Sequence, residues 1–159
     1  MSDAEPTAAE ANVDTLRKVL ELESLSFTSA SRESDYFLGQ NQYKPDGRVY
    51  GGQVVAQSVV AAAATLPDDR LIHSLHGYFL RAGDVSEPIE FGGERLRDGR
   101  SFSARRVHAY QKDVPILSLI ASFQVEQEGL EHAETMPTGL PGPQDCPEPV
   151  SYTHLTLPT

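Results

Sequence analysis

Two glycines and a glutamine, Gly51, Gly52 and Gln53, stand where a helix is expected to begin. The N–H groups of a helix's first turn have no partner within the helix, and the helix dipole is positive at that end. Such a position suits a carbonyl oxygen on which negative charge develops during a reaction. These residues are therefore candidates for oxyanion or substrate binding. The alternative is that the glycines only permit a tight entry into a closely packed helix.

Two histidines, His73 and His76, are the next candidates. Either could act as a base or orient a substrate, although a packed, hydrogen-bonded role is favoured. Because they are three residues apart on a predicted strand, we expect them to point to opposite faces and not to bind one metal ion together. Pairing of His73 with Asp68 or Asp69 across a turn is possible but not favoured. We predict no metal site and no cofactor.

Arginine is concentrated in one stretch, which includes four candidates for binding phosphate: Arg95, Arg97, Arg105 and Arg106. Arginine suits phosphate because its planar guanidinium offers parallel donors. We expect the first two to share a strand face and the last two to point to opposite faces. The alternative, which the acidic composition favours, is an exposed sheet face with cross-strand ion pairs to Glu90, Glu94 and Asp98.

Two other reactive side chains carry less weight. Ser58 lies inside the predicted helix and lacks the Gly-x-Ser-x-Gly context of a hydrolase nucleophile. Cys146 lies in a proline-rich segment and is expected to be inert. As the single cysteine it excludes an internal disulfide, which is typical of a reducing compartment.

The residues from Tyr50 to Leu66 predict the central helix that must position these groups. They contain no proline and no charge, and Ala61 to Ala64 favour helix strongly. The segment is small and apolar nearly all round, so we expect it to be enclosed by the rest of the domain. It is short for a membrane span, which needs roughly 20 apolar residues.

After this helix the hydrophobic period becomes two and predicts four strands, at residues 71–81, 88–97, 101–111 and 115–125. Short connections between them predict an antiparallel meander. Before the helix we expect a short amphipathic helix at 13–20 and extended segments at 24–30 and 36–42. A sheet curled around a long buried helix satisfies this order best. The predicted class is therefore α+β, with a hotdog fold.

Composition limits the partners and the compartment. The 159 residues carry 23 acidic and 13 basic side chains, a net charge of −10, which argues against nucleic acid or an anionic membrane. The N-terminal residues show no basic region followed by an apolar run, so no secretory signal is visible. We expect a cytoplasmic protein.

The chain is expected to divide into four parts. Residues 1–12 predict a disordered tail, 13–127 the hotdog domain, and 128–150 a linker towards a second hotdog. Residues 151–159 are uncharged, match neither linker nor core, and are interpreted as a non-native tail. On this interpretation the linker ends where another domain should begin.

Several long motifs follow one another in the chain: Tyr50-Gly-Gly-Gln-Val-Val-Ala-Gln, His73-Ser-Leu-His-Gly-Tyr-Phe-Leu-Arg-Ala-Gly-Asp, Leu96-Arg-Asp-Gly-Arg-Ser-Phe-Ser-Ala-Arg-Arg-Val, Ala121-Ser-Phe-Gln and His132-Ala-Glu-Thr-Met-Pro. Together they resemble the N-terminal half of acyl-CoA thioesterase II, a double-hotdog family with bacterial and peroxisomal members. The resemblance covers roughly residues 13–138.

The resemblance implies hydrolysis of an acyl-CoA thioester to a free fatty acid and coenzyme A, without metal or redox cofactor. The phosphates of coenzyme A would then be the ligands of the four arginines. In that family an aspartate, a hydroxyl residue and a glutamine position the attacking water, and they lie mainly in the second hotdog. No catalytic residue can therefore be assigned in this half, and we expect the isolated chain to hydrolyse acyl-CoA negligibly.

Two alternatives remain. An enoyl-CoA hydratase of the hotdog type needs an aspartate and a histidine beside the substrate, and the entry at Gly51 to Gln53 has neither. A non-catalytic acyl-CoA-binding or dimerisation module would bind without turnover. In either case a hotdog sheet normally pairs with a second hotdog, so we expect an exposed apolar edge and a homo-oligomer.

Overall fold

The structure, a computed structural model, describes residues 8–25 and 34–146. Two compact units are present, Met1–Gln127 and Glu128–Thr159. The described elements of the first unit are α1 (Ala8–Leu20), β1 (Glu23–Leu25), β2 (Ser34–Gly39), α2 (Gly51–Ala63), β3 (Arg70–Phe79), β4 (Ile89–Asp98), β5 (Phe102–Gln111) and β6 (Val114–Val125). The described part of the second unit holds a short 3-10 helix, Pro143–Asp145.

The strands form one six-stranded antiparallel sheet in the order β1-β2-β4-β5-β6-β3. Helix α2 contacts β2, β3, β4, β5 and β6, so the sheet curves around the helix. The core lies between them and includes Val54 and Ala61 of the helix and Phe91, Leu119 and Phe123 of the sheet. This arrangement confirms the predicted α+β hotdog fold.

The predicted meander was wrong at its first connection. Strand β3 pairs with β6 at the sheet edge and not with β4. The segment between β3 and β4 instead bonds to the chain entering α2, since the Val49 N–H donates to the Gly83 carbonyl and the Val85 N–H to the Gly47 carbonyl. The other two connections, β4 to β5 and β5 to β6, are hairpins as expected.

Burial of α2 differs from the prediction. One face is buried against the sheet, and the opposite side is half-buried, with Gly52 and Ala63 exposed. The buried face carries the helix's polar side chains, Gln53, Gln57 and Ser58. The expectation of a helix enclosed on all sides was therefore wrong for the described residues, because the sheet covers only one side.

Several boundaries also differ. Helix α1 begins at Ala8, so residues 8–12 of the expected tail are helical, whereas residues 1–7 lie outside the described part. Strand β2 begins and ends before the predicted 36–42. Part of the predicted segment 24–30, the end of the predicted linker and the whole of 151–159 lie outside the described residues. Among the helices that are described, none is long and apolar enough to cross a membrane.

The backbone conformation of the turn between β5 and β6 can be tested by substitution. Lys112 and Asp113 have φ of 50° and 63°, the left-handed region that favours glycine. Replacing Asp113 with glycine should therefore raise the free energy of unfolding by about 0.5–1 kcal/mol. Urea denaturation measures the change. The matched variant Lys112→Gly should gain less because it loses the ion pair with Glu87 at 2.8 Å; a loss of stability in Asp113→Gly would contradict the assignment.

Candidate functional site

The start of α2 has unpaired main-chain donors. The first hydrogen bonds of the helix run from Gln53 N and Val54 N to Tyr50 O, at 3.0 and 3.4 Å. The N–H groups of Gly51 and Gly52 therefore have no partner within the helix. Tyr50 makes no side-chain cap at this end. Within the described residues, the start of α2 thus offers two main-chain N–H groups without a partner in the helix.

A pocket of about 340 Å³ opens beside these groups. We call it the α2 entry pocket, and its walls include Val49, Gly51, Val54, Phe79, Gly83 and Ile116. Of the described residues that line it, Arg81 alone is charged, and one of its nitrogens donates to the Pro115 carbonyl at 2.9 Å. Among the described residues that line it there is no acid and no histidine. The lining residues that the structure describes therefore include no side chain suited to act as a general base.

Aromatic rings cover both glycines at the pocket. A Cβ added at Gly51 would lie 3.0 Å from the Phe79 ring, and one at Gly52 would lie 2.4 Å from the Tyr50 ring. Close approach of these rings, and not an unusual φ, therefore accounts for glycine at both positions. Tyr50 and Phe79 are 68% and 60% exposed, so both rings have room to move aside.

The side chain of Gln53 is committed elsewhere. Its Oε1 accepts a hydrogen bond from the Gln42 N–H at 3.1 Å, and its Nε2 donates to Asn41 Oδ1 at 2.9 Å and Gln57 Oε1 at 3.2 Å. The Nε2 hydrogens are thus committed within the domain, and Oε1 already accepts one main-chain hydrogen bond. Similarly, the hydroxyl of Ser58 donates to the Val54 carbonyl, which gives it a partner within the helix.

The two histidines lie on the sheet face opposite α2. His73 Nε2 is 2.8 Å from Ser122 Oγ, and the ring packs edge-on against Phe102. His76 is aligned with the exposed Ile120 and packs edge-on against Tyr78. The prediction of opposite faces was wrong because a β-bulge between Ile72 and Ser74 breaks the alternation. Neither histidine can therefore reach the start of α2 from this domain.

The pairing of His73 with Asp68 or Asp69, which the sequence did not favour, is not found among the contacts of the described residues. Asp69 lies 3.5 Å from the Arg70 guanidinium, and the recorded partners of His73 include neither Asp68 nor Asp69. Within residues 8–25 and 34–146, no three histidine, cysteine, aspartate or glutamate side chains come close enough to hold a metal ion.

Arg105 is a structural residue and not a phosphate ligand. It is 1% exposed, and all five of its N–H donors are directed at oxygens of the domain. Two of these oxygens belong to Thr65, just beyond α2, and another is the Asp98 carboxylate at 2.8 Å. The hydrogen bond from Arg105 lowers the pKa of Asp98. The expectation of a phosphate site at this residue is therefore contradicted by its contacts.

Of the three other candidate arginines, Arg95 and Arg97 are exposed and Arg106 is half-buried. Arg95 pairs with Asp35 at 2.9 Å, and Arg106 pairs with Glu94 at 3.5 Å. These are ion pairs of the kind that the alternative interpretation proposed. A second bulge, between Arg95 and Arg97, places Arg97 opposite Ala104. Arg95 and Arg97 therefore lie on different faces, and the expectation that they share one was wrong. Within the described residues Arg97 has no ion-pair partner.

Three residues whose side chains bond to the loops around the pocket were not recognised from the sequence: Asn41, Gln57 and Gln111. Gln57 is fully buried, and Gln111 is 8% exposed. A possible signal was the pair Gln53 and Gln57, since two long polar side chains four residues apart share one face of an otherwise apolar helix. The partners of the pair lie in helix α1 and in the loop before α2, and no local pattern indicates them.

The fold is that of a hotdog domain, and comparison with known proteins gives its family. Residues 41–124 match the profile of the acyl-CoA thioesterase N-terminal domain. The chain belongs to this family.

Named relatives agree with this assignment. Over 101 residues the chain is 48% identical to acyl-CoA thioesterase 2 of Haemophilus influenzae, covering 64% of this chain and 35% of the relative. It is 36% identical to the peroxisomal acyl-coenzyme A thioester hydrolase 1 of Saccharomyces cerevisiae, covering 94% of this chain and 42% of the relative. The crystal structure of an acyl-CoA thioesterase II from Mycobacterium marinum superposes with a TM-score of 0.66 and 40% identity, over 80% of this chain and 44% of that one. The chain thus spans less than half the length of these relatives.

Proposed function

We propose that this domain forms part of an acyl-CoA thioesterase that hydrolyses acyl-CoA to a free fatty acid and coenzyme A. The observation that carries the proposal is the family match over residues 41–124, which includes α2, its entry loop and strands β3 to β6. The names of the relatives support the same substrate class.

In this proposal the thioester carbonyl oxygen binds the N–H groups of Gly51 and Gly52. Water adds to the carbonyl carbon, the oxygen carries the negative charge of the tetrahedral intermediate, and the carbon–sulfur bond then breaks as the thiolate takes up a proton. Two unpaired N–H groups and the positive end of α2 stabilise that oxygen. The described lining residues of the α2 entry pocket include no general base, so we assign activation of water to a second hotdog domain. Turnover is expected only when both domains are present.

Of the four candidate arginines, Arg97 is the one we propose for the coenzyme A phosphates. It is exposed and has no ion pair within the described residues, whereas Arg95 and Arg106 would have to exchange a carboxylate for a phosphate. Electrostatic attraction of this kind would weaken as salt is added.

We propose that the second domain, or a second copy of this one, pairs along β3. Apart from Arg70, every residue of β3 is exposed, and within the described sheet the strand has only one neighbour, β6. Its core-side positions carry Ile72, Leu75 and Phe79, which remain 38%, 46% and 60% exposed. An edge that combines unpaired main-chain groups with exposed apolar side chains is suited to strand addition.

The proposed compartment is the cytoplasm, which suits the exposed free Cys146. The peroxisomal relative makes the peroxisome the alternative. A non-catalytic acyl-CoA-binding module is the second candidate function, and the absence of an acid or histidine among the described lining residues of the pocket favours it. Binding without turnover after the second domain is restored would identify that function.

Replacing Gly51 with alanine tests the site. The new methyl group would enter the α2 entry pocket beside Phe79, so we expect affinity for a non-hydrolysable acyl-CoA thioether to fall on the order of tenfold. Stability should change by less than about 1 kcal/mol, since alanine is a better helix residue than glycine and the ring can move. Calorimetric titration measures the affinity. The control Ala63→Gly lies at the other end of α2, and unchanged affinity in Gly51→Ala would remove this residue from the site.

A further inference from the structure

Four buried or half-buried amide side chains connect the loops around the α2 entry pocket, and we infer that they position its oxygen-binding N–H groups. We call Gln57, Gln53, Asn41 and Gln111 the amide ladder. The nature of the ligand in this inference rests on the proposed function. The effect of the amides on the loop geometry does not.

The contacts at the helix fix the orientation of each amide. Gln57 Nε2 donates to the carbonyls of Val19 and Gln40 at 2.8 and 2.9 Å, so its Oε1 faces Gln53. Gln53 then donates through Nε2 and accepts the Gln42 N–H at Oε1. Reversing either amide would set oxygen against oxygen or donor against donor. The loop that precedes α2 is thereby held in one position relative to the helix.

The ladder continues to the loop on the other side of the pocket. Asn41 Nδ2 donates to the carbonyls of Asp84, Val85 and Glu87. From β5, Gln111 donates to the carbonyls of Asp84 and Glu87 at 2.7 Å and accepts the Asp84 N–H at 2.8 Å. These bonds hold the segment that follows Gly83, a residue of the pocket wall.

The two loops also bond directly to each other, through Val49 N–H to Gly83 O at 2.9 Å and Val85 N–H to Gly47 O at 3.1 Å. Both walls of the pocket, and the entry into Gly51, are thus tied to one network. Glycine at position 39 leaves room for it, since a Cβ there would lie 2.7 Å from Gln57 Nε2.

The partners of the amides are main-chain groups of the loops, among them the Gln40 and Glu87 carbonyls and the Gln42 N–H. An apolar side chain in place of an amide would leave such groups unpaired, and a fully satisfied polar network restricts the loops to one geometry. Gln53 and Gln57 are therefore positioning residues that act through the loops, and they do not touch the substrate.

Gln53→Met in the full 159-residue chain tests this inference, with Val60→Met on the half-buried side of α2 as the matched control. Amide hydrogen exchange should become faster on the order of tenfold at Val49 and Val85, with a much smaller change in core strands β5 and β6. Gln111→Met, which leaves α2 intact, should accelerate Val85 in the same way. The control should leave both amides unchanged.

Equal acceleration of exchange throughout the domain, or none at Val49 and Val85, would overturn the inference. Affinity for the acyl-CoA thioether is measured on the same samples. It should fall in the variants in which Val49 and Val85 exchange faster. If the unmodified chain does not bind the thioether while exchange responds as expected, the proposed function fails and the positioning of the loops stands.

Discussion

Replacing Arg105 with methionine is expected to lower the free energy of unfolding by about 3–5 kcal/mol. The guanidinium is buried at the end of α2 and donates to Thr65, Asp98 and main-chain carbonyls. Methionine fills much of the same volume but leaves buried carbonyl oxygens without these donors, which is costly. Urea denaturation followed by circular dichroism measures the loss.

Arg106→Met is the matched control. The neighbouring side chain points to the opposite face, is 40% exposed and pairs with Glu94 at 3.5 Å. Its loss should cost less than about 1 kcal/mol, as is usual for exposed ion pairs. Similar losses in the two variants would contradict the structural role of Arg105.

Acid titration gives a second measure of the same contact. Arg105 holds the pKa of Asp98 below its ordinary value of 3.8. The stability that the pair contributes is therefore complete above that ordinary value and is lost as the pH falls through the lowered pKa of the folded state. Arg105→Met should remove this part of the acid sensitivity.

The second large effect concerns association. The chain is expected to self-associate through β3, and Leu75→Lys should raise the dissociation constant about 100-fold, because a lysine would be buried at the new strand pair. Leu75 is 46% exposed on the core-facing side of this edge. Sedimentation velocity over a range of concentrations measures the change.

Leu96→Lys provides the control, since Leu96 is 42% exposed but lies on β4, within the sheet. It should leave association unchanged. A chain that stays monomeric at high concentration, or two variants with equal effects, would exclude β3 as the pairing edge.

Local patterns predicted the elements well. Alternating apolar residues and turn signals placed strands β3 to β6 within two residues of their observed ends, and the uncharged segment after Tyr50 predicted α2. The place of β3 at the sheet edge was missed because strand pairing is non-local. Its neighbour β6 is more than 30 residues away in the chain, beyond any turn signal.

The candidate site was predicted only in part. The glycines at the start of α2 were singled out because unpaired N–H groups follow from helix geometry alone, and their role in binding stays a prediction. The faces of His73 and Arg97 were not, since each follows a bulge that no residue pattern indicates. The role of Gln53 depends on Asn41 and on loop carbonyls beyond residue 80, which only the folded chain brings together.

The most direct test of the central claim is to map binding of a non-hydrolysable acyl-CoA thioether by amide chemical shifts of the labelled chain. Our account predicts the largest changes at Gly51, Gly52 and Gly83, around the α2 entry pocket. Changes confined to the opposite sheet face near His73, or none at saturating ligand, would contradict it.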